Sequence, residues 1–156
     1  MRSEADGNLI MAKLEDGEDL LGSLHQVVKQ HSIDSGTVLW GIGMVRDFEV
    51  GYFDGKAYRK RTFAPPHELL ALHGSISPRA DPPFHLHVAA GNESHNVVGG
   101  HLFHGTVSTL NEICIARFDT LRLGRELSPR SGVRELVLEP GATGVEPSTS
   151  RARRRT

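Results

Sequence analysis

Two histidines two residues apart, His85 and His87, carry the clearest chemical signal in this chain, and His101 follows them closely. The run Phe84-His85-Leu86-His87-Val88-Ala89-Ala90 alternates as a strand does, and residues two apart on a strand share a face. His85 and His87 therefore point one way, Leu86 and Val88 the other. Gly91-Asn92-Glu93-Ser94-His95 reads as a hairpin connection into Val97-Val98-Gly99-Gly100-His101-Leu102. A turn centred on Glu93 sets His101 opposite His85, with Cβ atoms about 4.5–5.5 Å apart. All three imidazoles then share one face, and a slip of one residue would send His101 to the other.

Three converging neutral imidazoles are the ligand set of a zinc site with an open fourth position for water, substrate or a group from another subunit. Nitrogen ligands favour zinc over magnesium or calcium, while nickel, copper and iron share the preference for imidazole. The competing reading is a polar outer strand face. The doublet Gly99-Gly100 asks for a bulge, a ligand or another chain close to the backbone. If His104-Gly105 makes a tight turn, Glu112 pairs near Val97 on the face of His101, a candidate ligand partner or general base. A solvated carboxylate is the alternative. Cys114, between two isoleucines, reads as a small buried hydrophobe. His25, His31, His67 and His95 read as ordinary surface or loop residues, and His73 and His104 are left open. No phosphate-binding loop, dinucleotide fingerprint or nucleophile elbow occurs.

The elements that must position these groups are mostly strands. Leu9, Met11 and Leu14 mark a first short strand. Asp16-Gly17-Glu18-Asp19 reads as a helix start, with acidic groups where the helix dipole favours them. Leu20, Leu21, Leu24, Val27 and Val28 follow at helical spacing, which predicts a helix near 18–31. From Gly36 the pattern turns to β: 37–43, 51–53, 58–63, 68–76, 84–90, 97–104, 106–118 and 133–138. One helix and about eight strands predict an α+β domain on a largely antiparallel sheet. Residues 1–7 and 140–156 read as tails, leaving 8–139 as the folded domain.

Composition bounds the rest. With 156 residues, 38% hydrophobic and 24% charged, the chain suits one globular domain. A single cysteine excludes a disulfide scaffold. The acidic start lacks the apolar stretch of a secretory signal, and no run is long enough to span a membrane, so a cytoplasmic protein is the expectation. The net charge of −1 conceals an asymmetry, because Arg151, Arg153, Arg154 and Arg155 crowd the last six positions. Without those four, 14 basic groups face 19 acidic ones, a formal charge of −5. An acidic body with a basic arm differs from a domain whose whole surface grips phosphates.

Taken together, Asp16-Gly17-Glu18-Asp19-Leu20, Gly41-Ile42-Gly43, His73-Gly74-Ser75-Ile76-Ser77, His85-Leu86-His87, Gly99-Gly100-His101-Leu102 and Asn111-Glu112-Ile113 resemble the PPC ("plants and prokaryotes conserved") domain, in order and spacing. The resemblance covers about residues 8–139. It implies an antiparallel sheet with a flanking helix, a homotrimer, and a zinc-type site at His85, His87 and His101. Family members are commonly described as DNA-binding, the plant proteins through an Arg-Gly-Arg-Pro hook preceding the domain. Here the tail reads Arg151-Ala152-Arg153-Arg154-Arg155-Thr156, without that core and after the domain.

Two functions follow as expectations. One is a DNA-associated or regulatory homotrimer with a three-histidine metal site and weak phosphate contacts from the arginine tail. The other is a zinc-dependent small-molecule enzyme or sensor using the same histidines, with no DNA role. A cupin also uses His-x-His, but the spacing of its carboxylate and the early helix fit poorly here.

Overall fold

The computed structural model describes residues 1–140. The chain runs β1 (Arg2–Asp6), β2 (Leu9–Glu15), α1 (Leu20–Gln30), β3 (Gly36–Phe53), β4 (Tyr58–Phe63), β5 (His67–Ile76), β6 (Phe84–Gly91), β7 (Val97–Arg117), β8 (Leu121–Leu127) and β9 (Arg134–Pro140). The first seven strands form one sheet in the order β1-β2-β7-β6-β5-β3-β4, all of whose pairings are antiparallel. β7 also pairs with β3, so β3, β5, β6 and β7 close into a ring. β8 and β9 make a separate hairpin.

The helix forms where the periodicity places it. Asp19 is its N-cap and accepts from the Gly22 N–H, satisfying one of the donors that a helix start leaves open. Glu18 serves differently from the expected dipole partner: it takes the Met1 ammonium at 2.7 Å and the Glu15 N–H at 2.8 Å. Leu20, Leu24, Val27 and Val28 are buried along one stripe. They join a single core with Ile10, Leu14, Phe48, Leu72, Leu86, Val88, Ile113 and Ile115.

The strand pattern departs from expectation in three places. Residues 2–6, read as tail, form β1 against β2. Gly7, at φ +61°, and Asn8 make a two-residue turn between them, a Gly-Asn hairpin signal that the polar composition masked. Second, residues 36–53 and 97–117 are each one continuous bent strand. His104-Gly105 is therefore no turn. Gly105 lacks a side chain because a Cβ there would meet Val45 Cγ2 at 3.0 Å and Phe48 Cβ at 3.2 Å. Shifts in the β3–β7 register absorb the curvature, at Val38/Trp40, Gly43/Val45 and Arg46/Glu49 among others. Third, β8 was not foreseen. Its alternation of Leu121, Leu123, Arg125 and Leu127 is the strand period, and Leu123 is its buried member.

Candidate metal centre

The β6–β7 hairpin brings the three histidines together by a register different from the one expected. His101 pairs with His87, and His85 pairs across the other edge of β6 with Ser75. The turn runs through Asn92, whose Oδ1 accepts from the Ser94 and Asn96 N–H groups at 3.0 Å each, with His95 at φ +61°. That Asx-type turn sits one residue later than a turn centred on Glu93. The pairing moves by two, an even shift, so His101 keeps its face.

On that face the Nε2 atoms of His85 and His87 lie 3.2 Å apart. One ring nitrogen from each of His85, His87 and His101 falls within 4.8 Å of the others. Ring centroids are 5.1 Å apart for His85–His101 and 5.6 Å for His87–His101. Tyr58 and Phe103 flank His101, at 5.0 and 4.8 Å between centroids. Four glycines let the strands come this close. A Cβ on Gly99 would run into the Val88 carbonyl, and one on Gly74 into that of His85. Gly100 sits at φ +155°, its Cβ position 2.6 Å from the Gly51 carbonyl oxygen. A Cβ on Gly51 would meet the Phe103 ring at 2.7 Å.

Burial, with neighbouring positive charge, favours the neutral form of these rings, the form that coordinates a cation. Burial, then the charges of His85, His87, Arg125 and Lys60, push the His101 pKa down to about 4. His85 is lowered by burial, Arg125 and His87, and His87 by burial and His73. His101 Nδ1 is buried with no hydrogen-bond partner among the described residues. An imidazole nitrogen in that state costs about 1–3 kcal/mol unless something occupies it. The donor set, three neutral nitrogens and no carboxylate, fits a zinc-type ion rather than magnesium or calcium.

Glu112 lies elsewhere. It is exposed eleven positions further along β7, paired with Lys13 on one side and Ile42 on the other. The turn that would have brought it to the histidines does not exist. Cys114 is buried, as its neighbours predict. His67, read as a surface or loop residue, is buried between Phe48 and Phe63, with Nδ1 2.8 Å from the Pro65 carbonyl. His73 is exposed on β5 directly across from His87, in line with His101, so the imidazole row extends over three strands. Arg125 on β8 is the residue that sequence reasoning missed: the alternation of residues 121–127 marks a strand, but only the contact with Ser75 brings its guanidinium to the histidines. Arg151, Arg153, Arg154 and Arg155 lie outside the described residues.

Beside His85 and His101 opens a cavity of about 280 Å³, lined also by Tyr58, Phe103, Pro82, Arg125, Val133 and Arg134. Its walls combine aromatic and aliphatic surface with two arginines.

Known proteins share this fold. The chain is 30% identical over 141 residues to part of the Bifunctional protein GlmU of Synechococcus sp. (strain JA-3-3Ab), covering 90% of this chain and 22% of that protein. It thus spans about a fifth of the length of the curated relatives it matches. A Bacteroides thetaiotaomicron protein with a provisional DNA-binding label superposes at a TM-score of 0.79 and 24% identity, over 87% of this chain and 96% of that one. The metal-containing protein AF0104 of Archaeoglobus fulgidus superposes at 0.76 and 26% identity, over 88% and 99% respectively. Residues 1–119, which include every histidine described above, match the model of the Plants and Prokaryotes Conserved (PCC) domain, and the chain belongs to that family.

Proposed function

We propose that this protein is a homotrimeric metal-binding domain that recognises a small molecule at a three-histidine centre. The observation that carries it is the convergence of His85, His87 and His101 within 4.8 Å at the wall of a cavity. A three-histidine ion of the zinc type retains an open position, at which it can bind a ligand or polarise it. His85, His87 and His101 would hold the ion. Sensing is favoured over hydrolysis because Glu112, the candidate base, lies away from the cavity, and none of the eight lining residues is acidic. The metal-containing relative from Archaeoglobus fulgidus supports the ion.

The assembly is supported by an apolar row on the outer sheet surface. Met11 and Trp40 flank Cys114 across β2, β7 and β3, and Leu9 and Ile42 extend the row. These four large side chains are 41–45% exposed, on a surface that a second copy of the chain would cover. Elemental analysis of the purified protein, together with its mass in solution, tests both claims. Stoichiometric zinc in a particle of three chains is the expected result, and a metal-free monomer overturns it.

DNA association is the second reading, favoured by the four arginines near the C-terminus and by the label of the Bacteroides relative. The acidic balance of residues 1–150 opposes it. Electrophoretic binding at two salt concentrations, with and without residues 148–156, separates the readings. Binding that weakens with salt and needs those residues would establish the arm.

A further inference from the structure

The β8–β9 hairpin follows the stretch matched by the family model, which ends at residue 119. It is nevertheless built into the histidine face. Leu123 is buried, and its N–H donates to Ser35 Oγ at 3.0 Å. That contact pins β8 to the body, and two residues later Arg125 points the same way, as strand alternation requires. Arg125 Nη2 donates to Ser75 Oγ at 2.6 Å, and Ser75 is the β5 partner of His85. The guanidinium thus enters the wall of the cavity that His85 and His101 share.

Among the described residues no carboxylate makes an ion pair with Arg125, and its Nε is buried without a hydrogen-bond partner. Arg134 lines the same cavity. A half-buried guanidinium without a counter-charge is costly, and an anion that enters the cavity removes the cost. The remaining walls, Tyr58, Phe103, Val133 and Pro82, suit a hydrocarbon or aromatic body. The guanidinium fork fits carboxylate and phosphate alike, and the apolar walls favour the anion that carries an organic body.

We infer that the cavity binds a small organic carboxylate, its charged end on Arg125 and its apolar body against Tyr58, Phe103 and Val133. This rests on the reading of the histidine face as a small-molecule site, and it names the class of ligand. The hairpin is then a ligand-reading addition to the histidine sheet.

Calorimetric titration of the full chain tests it, with benzoate as probe, benzamide as its neutral counterpart and inorganic phosphate as a compact anion. Each is titrated into zinc-loaded and chelator-treated protein, with zinc content measured first. Benzoate should bind, benzamide should not, and Arg125→Gln should weaken benzoate by about tenfold while zinc content stays unchanged. Arg125→Lys keeps the charge but loses the fork, and should fall between the two. It also serves if the glutamine variant does not fold. Equal benzoate affinity in the wild type and the variants, equal binding of benzamide, tighter binding of phosphate, or no benzoate binding in either metal state overturns the inference. If the wild type holds no zinc, the metal reading fails separately. The metal-free titration then decides the arginine subsite by the same comparison.

Discussion

His87 and His101 face each other directly across the β6–β7 ladder, and this one pair joins the histidine motif of one strand to the glycine-rich segment of the next. Gly99 and Gly100 pair with Ala89 and Val88 in the same ladder. The absence of side chains at 99 and 100 and the convergence of imidazoles at 101 are therefore one device. The backbone is brought in close so that His101 can reach both His85 and His87.

Replacing a histidine should remove metal without unfolding the chain. His101→Ala should lower the zinc-to-protein ratio several-fold, because two remaining imidazoles make a weak site. Glu112→Gln should leave the ratio unchanged, since Glu112 sits between Lys13 and Ile42. Elemental analysis of the two variants side by side is the measurement. Equal zinc in wild type and His101→Ala would remove the site.

Acidification should destabilise the metal-free protein over a defined window. The His101 pKa is held down to about 4 from an ordinary 6.5, and those of His85 and His87 are lowered too. Between those two pH values the unfolded chain binds more protons than the folded one, so stability is lost as pH falls from about 6.5 towards 4. Well above pH 7 the three rings are neutral in both states and the slope vanishes. Urea midpoints for metal-free wild type and His101→Gln, from pH 7.5 to 4.5, check this. The variant should show the shallower dependence.

The candidate site was legible because strand alternation is local and robust. His85 and His87 share a face whatever the register, and the hairpin register could shift by two without moving His101 off it. Glu112 was misplaced because Gly105 can be read as a turn residue or as a packing residue. Only the proximity of Val45 and Phe48 decides between them. β1 was missed because its sequence is polar and its stability comes from pairing with β2 and from the Met1–Glu18 ion pair. Arg125 reaches the site through the docking of a whole hairpin, a tertiary event that the periodicity of residues 121–127 does not reveal.

Adding one methyl group at Gly100 should damage the centre from behind. Its φ of +155° is unfavourable for an L side chain, and the Gly51 carbonyl oxygen is 2.6 Å from where a Cβ would stand. Gly100→Ala should cost about 1–3 kcal/mol, the scale of a strained backbone position. It should also reduce zinc content, because β3 and β7 must separate beside His101. Gly55→Ala is the control: it too has a positive φ, +92°, but nothing lies within 4 Å of its Cβ position. It should lose some stability and keep its zinc. Chemical denaturation combined with zinc analysis separates strain from damage to the site.

The apolar row on the outer sheet makes the last prediction. Trp40 is 41% exposed and Met11 43%, and both flank Cys114. Exposed apolar side chains on the two strands flanking β7 are better accounted for by a covering partner than by solvent. Trp40→Lys places a charge in that row, where a covering partner would have to desolvate it. The variant should sediment as a smaller species at concentrations where the wild type is assembled, with an unchanged far-ultraviolet spectrum. Tyr52→Lys alters a residue that is 72% exposed on β3, away from the row, and should leave assembly intact. If Trp40→Lys sediments with the wild type, the row is not the interface. If both variants dissociate, the effect is one of added charge and the row has no special part in assembly.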